Sequence, residues 1–273
     1  MASLRVIDSL TGGRAALGRG GPRGSIRRWA SRPVTPSSSG SSRPSVSASS
    51  RRRRGAPAPH DPLTELVQAI HILMGRPATR EERRRFTRYL DLLLQWNRTQ
   101  RLTALRSGAD VARHLFRDSL LFLPQLPGRP LALVDIGAGA GIPGVPLRIV
   151  EPGISLTLVE SKRKRVSFLS ALKRELGLDD IRILEGRAED LIIQLPELIG
   201  IFDCAVLRAV GPLEALIPTA LGYLKPGGLL IVSGPPPGKP LPAIPPEVKG
   251  RWETTDFPIF GLSRVFLTVS KGA

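Results

Sequence analysis

The stretch that decides the fold is Leu131 to Pro146, which reads LALVDIGAGAGIPGVP. It opens with apolar residues, as expected of a buried parallel strand. Glycine then occupies positions 137, 139 and 141, where the lack of a side chain lets the backbone approach a ligand closely. Pro143 is placed for the first turn of a helix, because the missing N–H of proline is not needed there. A strand, a glycine-rich turn and a helix in this order predict the first part of a nucleotide-binding α/β unit.

The spacing of the glycines distinguishes two kinds of cofactor. A dinucleotide fingerprint, G-x-G-x-x-G directly after the strand, fails when it is counted from Gly137, because its third position is Ile142. Counted from Gly139, the fingerprint is complete with Gly144 as its third glycine, but it then begins two residues further from the strand. Alternate glycines after Asp135 fit S-adenosylmethionine better, because this cofactor has no pyrophosphate and carries an ammonium that an acid can hold. A tight turn without any ligand remains open on the glycines alone.

The amino-acid composition argues against several other classes of protein. The chain has 273 residues, 41% of them hydrophobic, which suffices for one large domain or two small ones. No apolar run approaches the ~20 residues that span a bilayer. Cys204 is the single cysteine, and the three histidines show no ligand spacing. We therefore predict no disulfide, no metal and no membrane partner.

The net charge of +17 is concentrated at the start of the chain. Residues 1–60 hold twelve arginines and one acid, a net +11, which leaves +6 for the rest. This segment is rich in Arg and Ser and nearly free of aromatic residues, so we predict a disordered basic tail over residues 1–60. An organellar transit peptide, a translated leader ahead of the true start, and an arm that gathers phosphates have the same composition.

From residue 61 to residue 125 the apolar period is helical, which predicts a helical cap. Asp61 and Pro62 are placed to open the first helix. A second helix, about Thr79 to Trp96, begins with a capping box of Thr79 and Glu82. A third is expected over about Val111 to Leu123.

From residue 126 to residue 273 strands and helices alternate, which predicts a mostly parallel seven-stranded sheet with a Rossmann-like topology. Lys225 to Gly228 reads as a turn that leads into the strand Leu229 to Ser233. Trp252 to Phe257 and Val265 to Val269 are expected to close one edge as a hairpin. With the glycine spacing, this α/β pattern predicts a class I S-adenosylmethionine-dependent methyltransferase domain.

Several side chains are predicted to lie at the carboxyl ends of the strands, where open α/β sheets bind ligands. Glu160 ends the second strand and can accept hydrogen bonds from both hydroxyls of a ribose. Ala188 and Glu189 follow the third strand and would face an adenine. Lys162, Arg163, Lys164 and Arg165 open a helix against its macrodipole, which favours a phosphate-facing patch, although a solvated helix face fits equally well.

The motifs that the chain lacks narrow the range of methylation reactions that it could catalyse. The sequence has no Pro-Cys pair for attack on a pyrimidine, and no Asn/Asp-Pro-Pro-aromatic cluster for an exocyclic amine. Arg208 ends the fourth strand instead, and its guanidinium is a donor-only fork that suits O6 or phosphate oxygens. Methylation of guanine N7 needs alignment with the methyl donor and no base, because N7 carries no proton. We therefore assign no catalytic residue, with Arg208 as the one candidate.

The segments HLFRDSL, LVDIGAGAGIPGVPLRIV, SKRKRVSFL, EGRAED and LRAV resemble the RsmG (GidB) family of ribosomal RNA methyltransferases. The resemblance runs from about Leu63 to Val269. It implies methyl transfer from S-adenosylmethionine to N7 of a guanine in the 530 loop of bacterial 16S rRNA. It also implies cofactor contacts at Gly137, Ile142, Ala188, Glu189 and Arg208, and RNA contacts at His114, Arg187 and Arg264.

The chain departs from the family pattern at three places. Arg101-Leu102-Thr103 stands where the family usually has Asn-Leu-Thr, one extra residue lies between His114 and Asp118, and Ser233-Gly234 replaces Lys-Gly. These departures leave open a divergent methyltransferase acting on another RNA or a small molecule, or a catalytically weak RNA-binding or ribosome assembly factor. A nicotinamide dehydrogenase is disfavoured by the displaced fingerprint.

We expect the protein to act as a monomer on 16S rRNA or a small-subunit precursor. The expected compartment is the cytoplasm, or an organelle if residues 1–60 are a transit peptide.

Overall fold

The structure, a computed structural model, describes residues 61–128, 130–208, 212–235 and 238–272. The tail predicted over residues 1–60 lies outside these ranges. The helices of the described part are α1 (Thr64–Met74), α2 (Arg80–Gln100), α3 (Gly108–Val111), α4 (Asp118–Leu120), α5 (Gly144–Val150), α6 (Arg163–Leu176), α7 (Ala188–Gln194) and α8 (Leu213–Tyr223). A π turn, Ala112–Arg117, joins α3 to α4, and short 3-10 turns lie at Leu123–Gln125, Pro196–Leu198 and Pro258–Phe260.

The strands form one seven-stranded sheet. They are β1 (Leu131–Ile136), β2 (Ile154–Glu160), β3 (Arg182–Glu185), β4 (Phe202–Arg208), β5 (Leu224–Ser233), β6 (Arg251–Phe257) and β7 (Leu262–Ser270). Their order is β3-β2-β1-β4-β5-β7-β6, with β1 to β5 parallel and β7 antiparallel to both β5 and β6. The prediction of a mostly parallel Rossmann-like sheet with a closing hairpin is thereby confirmed. The chain order reverses between β1 and β4, the point at which such sheets bind ligands.

Alternate residues of β1 pack on opposite faces of the sheet. Leu131 and Leu133 belong to one hydrophobic cluster, and Val134 and Ile136 belong to the other. The first cluster also contains the buried faces of α1, α2, α5 and α6, including Phe86 of α2. The helices that precede β1 therefore share a core with the sheet, and together they form one compact unit.

Local helix signals are confirmed in part. Thr79 and Glu82 form the predicted capping box, with Glu82 N donating to Thr79 Oγ1 at 3.1 Å and Thr79 N donating to the Glu82 carboxylate at 2.6 Å. Asp61 does not cap α1, which begins at Thr64, because its carboxylate accepts from the backbone N–H of Leu63 at 2.9 Å and forms a separate turn. Likewise Pro143 precedes α5 and is not its first residue.

Two predicted elements differ from the structure. The third helical stretch runs over Gly108–Leu120 and not over Val111 to Leu123, and its middle widens into the π turn Ala112–Arg117. Lys225 to Gly228 does not separate β5 from the preceding helix, since β5 starts at Leu224 and contains the four residues as a bulge between its pairings with Phe202 and Cys204. The hydrogen bonds between Gly227 N and Lys271 O and between Lys271 N and Gly228 O secure the bulge.

The turn after α2 explains one departure from the family pattern. Arg101 caps α2 with φ 50° and ψ 50°, a left-handed conformation that asparagine and glycine adopt more readily than arginine. Buried Asn97 fixes the turn that follows, since its side chain accepts from Thr103 N and donates to Leu105 O, both at 2.9 Å. Asparagine at position 101 therefore suits the backbone of this turn.

Replacing Arg101 with asparagine should raise the free energy of unfolding by about 0.5 kcal/mol, because the left-handed strain falls. Urea denaturation followed by far-UV circular dichroism measures the change. Arg98→Asn is the matched control, because Arg98 lies inside the right-handed last turn of α2, where asparagine should cost a few tenths of a kcal/mol. Equal effects at the two positions would contradict this account of Arg101.

Candidate active site

The glycine turn after β1 serves two purposes. Gly137, Gly139 and Gly141 have φ values of 77°, 58° and 84°, so all three adopt conformations that favour glycine. Gly137 and Gly139 remain partly exposed and offer backbone to a ligand. Gly141 is buried, and a Cβ there would lie 2.9 Å from both the Tyr89 hydroxyl and a methyl of Val145. The first two glycines therefore provide access, and the third allows close packing.

Tyr89 anchors the turn from helix α2. Its side chain is fully buried, and its hydroxyl donates a hydrogen bond to the carbonyl oxygen of Ala140. Burial raises the pKa of this hydroxyl well above its usual value, so it remains a donor. In the sequence Tyr89 was visible only as a member of the apolar face of α2. Its hydroxyl, a polar group on an otherwise apolar face, was the one indication in the sequence that Tyr89 has a hydrogen-bond partner.

Glu160 lies at the carboxyl end of β2, beside the glycine turn. Its carboxylate accepts hydrogen bonds from the backbone N–H groups of Gly139 at 2.9 Å and Lys162 at 2.8 Å. The guanidinium of Arg165 lies 3.6 Å away. A carboxylate can accept about four hydrogen bonds, so two acceptor positions remain for a ligand. The acid is thus held in place where a ribose was predicted.

Asp135 differs from Glu160, because it lies inside the protein. Its side chain accepts from the backbone N–H of Gly144 at 2.8 Å and so fixes the start of α5. A Cβ on Gly144 would lie 2.7 Å from this carboxylate, which explains the glycine. The second carboxylate oxygen, Oδ1, is buried and has no hydrogen-bond partner among the described residues. Burial raises the pKa of Asp135 to about 7, against the opposing effects of Gly144 N and Arg208.

Arg208 ends β4 with its guanidinium directed to the helical layer. Its Nη2 donates to the carbonyl oxygen of His114 at 2.6 Å, and its Nη1 lies 3.4 Å from that of Leu115. Burial lowers the pKa of Arg208, and nearby Asp118 opposes this shift. An arginine in a protein stays charged under such conditions. The site therefore contains a fixed cation at the carboxyl end of β4.

Asp118 joins residues that the sequence could not connect. Its Oδ2 accepts from Arg264 Nη2 at 2.8 Å and lies 3.7 Å from Arg208 Nη2. Its Oδ1 lies 3.7 Å from Arg117 Nη2. The structure thus brings Arg208 and Arg264 together around one carboxylate, beside the backbone of exposed His114. Asp118 was missed because its position in HLFRDSL does not reveal its distant partners.

The four cations near the start of α6 do not form one patch. Lys162, Arg163 and Lys164 are exposed and form no ion pair within the described part of the chain. Lys162 also precedes the helix and does not belong to it. Arg165 contacts Glu160, and its guanidinium lies 3.8 Å from where a Cβ of Gly139 would stand. The structure therefore places Arg165 beside the glycine turn, and its contact with a phosphate stays a prediction.

The remaining predicted residues follow β3 and the glycine turn. Arg187 is exposed and contacts Glu189 at 3.1 Å, while Ala188 is buried with its carbonyl accepting from Tyr223 at 2.8 Å. The pKa of Glu189 is lowered, first by its own backbone N–H and then by Arg187. Ile142 is almost completely buried at the end of the glycine turn. No described interaction joins Arg187 to Arg208 or Arg264.

The end of α2 extends the exposed positive surface. The rings of Trp96 and Phe168 are 5.7 Å apart, which brings the last turns of α2 beside the first half of α6. Arg98 and Arg101 are both exposed at this end. These arginines and the free cations at the start of α6 therefore lie at the same end of the two helices.

No group of three or more His, Cys, Asp or Glu side chains is arranged to hold a metal ion in the described part of the chain. Among the described helices, none has both the length and the apolar character needed to cross a membrane.

Comparison with known proteins places the site in a family. The family model described as rRNA small subunit methyltransferase G (GidB) matches residues 82–233. The ribosomal RNA small subunit methyltransferase G of Streptococcus equi subsp. equi is 38% identical over 169 residues, which are 60% of this chain and 71% of that protein. The protein of the same name from Lactococcus lactis subsp. lactis is 38% identical over 150 residues, 54% of this chain and 63% of that protein.

Among solved structures, the O-methyltransferase from Bacillus cereus in complex with SAH is similar with a TM-score of 0.48 and 17% sequence identity. The match covers 77% of this chain and 98% of that chain. A likeness this distant has no bearing on the substrate.

The raised pKa of Asp135 predicts a pH-dependent stability. The folded protein holds the proton up to about pH 7, whereas the unfolded chain releases it near 3.8. The contribution of this carboxyl to stability is therefore complete below pH ~4 and is lost as the pH rises through about 7. Between pH 5 and pH 8 the wild type should lose on the order of 2 kcal/mol of unfolding free energy relative to Asp135→Asn. Urea denaturation of both proteins without cofactor gives the difference, and parallel pH profiles would refute it.

Proposed function

Because the chain belongs to the rRNA small subunit methyltransferase G family, we propose that it transfers a methyl group from S-adenosylmethionine to N7 of a guanine in the 530 loop of 16S rRNA. The observation that carries this proposal is the family match over residues 82–233, a range that contains the glycine turn, Glu160 and Arg208. The relatives' names support methylation of small-subunit rRNA. The target atom and loop follow from the resemblance of the sequence segments.

The hydrogen-bond acceptors of the site fit S-adenosylmethionine. Glu160 retains acceptor positions for the two ribose hydroxyls, and the unpartnered Oδ1 of Asp135 can accept from an ammonium. Gly137 and Gly139, which lie between these acids in the chain, are partly exposed and carry no side chain that would block a ligand. When bound, the cofactor supplies the electrophilic methyl group. We assign its binding to Asp135, Gly137, Gly139, Gly141, Ile142, Glu160, Ala188, Glu189 and Arg208.

The reaction requires the protein to position the target guanine and does not require it to remove a proton. Guanine N7 has an in-plane lone pair and no hydrogen, so attack on the methyl group needs no general base. Arg208 stands at the carboxyl end of β4 and has N–H donors beyond the two that face the carbonyls of His114 and Leu115. We assign these donors to guanine O6 or a neighbouring phosphate. A donor on O6 fixes the base while N7 stays free to react.

The RNA backbone is assigned to the exposed cations around this edge. Lys162, Arg163 and Lys164 have no carboxylate partner within the described residues, so they are free to bind phosphates. His114, Arg187 and Arg264 complete the proposed contacts. Arg165 was predicted as one of them, and because it lies 3.6 Å from Glu160 we propose that it contributes at the glycine turn. We propose that the protein works as a monomer in the cytoplasm, on 16S rRNA or a small-subunit precursor.

Purified protein should methylate small-subunit rRNA at one guanine of the 530 loop. After incubation with S-adenosylmethionine, borohydride and aniline cleave RNA at 7-methylguanine, and primer extension then shows a stop at that position. Glu160→Gln should weaken cofactor binding about tenfold, because one charged acceptor is lost. If the wild type binds cofactor by calorimetry but gives no stop in the 530 loop, the target is wrong although the cofactor assignment survives.

The cations at the start of α6 should contribute to the affinity for RNA and not to cofactor binding or turnover. In the double variant Arg163→Ala with Lys164→Ala, the KM for RNA should rise and the slope of log affinity against log salt should fall by about 1.5, since two phosphate contacts are lost. The turnover number and the cofactor Kd should stay unchanged. Filter binding at several salt concentrations and steady-state kinetics give these quantities.

The matched control is Lys173→Ala with Arg174→Ala, which removes the same charge from the last turn of α6. This pair lies at the opposite end of the helix from the cofactor turn and should leave the salt slope nearly unchanged. An equal loss of affinity in both double variants would show a general charge effect and would contradict a local RNA contact.

A further inference from the structure

The π turn Ala112–Arg117 is the least regular part of the helical layer. It continues α3 and is continued by α4, so Gly108–Leu120 is one helical stretch with a widened middle. π-Helical residues make up well under 1% of globular proteins and occur mostly as single turns, frequently at functional sites. The turn also coincides with the extra residue of the HLFRDSL segment. Its position therefore calls for a physical explanation.

The wide turn keeps the two ends of the stretch in phase. An added residue in an α-helix rotates everything beyond it by about 100°, because one turn holds about 3.6 residues. A π turn closes i→i+5 hydrogen bonds and so absorbs the addition. Val111 before the turn, Ala112 at its start, and Ser119 and Leu120 after it are all buried. The core contacts of the stretch are thereby preserved.

The same turn provides two carbonyl oxygens to Arg208. In a regular α-helix each carbonyl bonds to the N–H four residues later, and the change of period alters these pairings. The Leu115 carbonyl accepts from the backbone N–H of Asp118 and from Ser119 Oγ at 2.6 Å. Arg208 Nη2 donates to the His114 carbonyl at 2.6 Å, and Nη1 approaches the Leu115 carbonyl at 3.4 Å. Asp118, the first residue after the turn, faces the same guanidinium at 3.7 Å. Three acceptors from one short stretch thus surround the cation.

We propose that the π turn Ala112–Arg117 is a positioning element that fixes the guanidinium of Arg208 for methyl transfer. This inference rests on the proposed function, because it takes Arg208 to contact the target base. A fixed donor fork costs no reorganisation during the reaction, so loss of the turn should lower the turnover number and not the affinity for RNA or cofactor. Arg117 is the last residue of the turn and is itself held by Glu65 at 2.7 Å.

Two variants of the turn separate its length from its side chains. Deletion of Arg117 shortens the turn to α-helical period and should lower kcat about 30-fold or more, with KM for RNA and cofactor Kd within about threefold of the wild type. Arg113→Gln keeps the length, changes an exposed side chain of the same turn that pairs with Glu65, and should leave kcat within about threefold. The proposal is overturned if the deletion keeps its kcat, or if the substitution loses as much as the deletion.

A measurement on the free protein tests the positioning without any RNA. In protein labelled with ¹⁵N-arginine, the two Nη groups of Arg208 should give separate NMR signals, because the carbonyls restrict rotation of the guanidinium. Arg208→Lys identifies the signals by their loss. A single averaged signal in the wild type would overturn the proposal even where the deletion variant does not fold. Separate signals in a protein that leaves rRNA unmethylated would retain the positioning and reject the proposed function.

Discussion

The hydrogen bond from Gly139 N to the Glu160 carboxylate holds the two halves of the cofactor site together. The glycine turn has no side chains of its own with which to fix its path, so the end of β2 must fix it. Gly137 N and Ala138 N both donate to the Val159 carbonyl, at 2.8 and 3.0 Å, directly before the acid. Tyr89 holds the far side of the turn from α2. The helical layer and the sheet are therefore both needed to shape one short backbone segment.

The site also concentrates ionisable groups where burial is costly. Asp135, Glu160 and Arg208 are all largely removed from water, and an unpaired charge in such a place destabilises a protein by several kcal/mol. Glu160 is compensated by two backbone N–H groups, and Arg208 by two carbonyls and Asp118. Asp135 is compensated least, and its pKa is accordingly raised to about 7. A cationic group of a ligand would supply the interaction that the carboxylate of Asp135 lacks.

The sequence allowed prediction of what depends on local signals. The capping box at Thr79, the period of the strands and the glycine conformations all follow from residues close together in the chain. The Tyr89–Ala140 bond and the cluster around Asp118 join segments 51 and 146 residues apart, and no periodicity reports such pairs. The contact of Arg165 with Glu160 was not predicted for the same reason, since nothing in SKRKR distinguishes the one cation that contacts the preceding acid. The π turn lacks any compositional mark.

The three departures from the family pattern are not equivalent in physical terms. Position 101 concerns the left-handed turn after α2, and the extra residue before Asp118 is absorbed by the π turn, so the backbone accounts for both. Ser233 is different, because it pairs with Arg208 across β4 and β5 at the carboxyl edge of the sheet. Arg208 and Arg264 already share Asp118, and Arg264 is one cause of the lowered pKa of Arg208. Arg117 also lies 3.7 Å from Asp118, so a lysine at position 233 would add a fourth cation to this cluster. A serine, whose hydroxyl bonds to the Gly234 carbonyl, leaves its charge balance unchanged. The departure at Ser233 is therefore the one that changes the charge beside Arg208, the residue proposed to contact the target base.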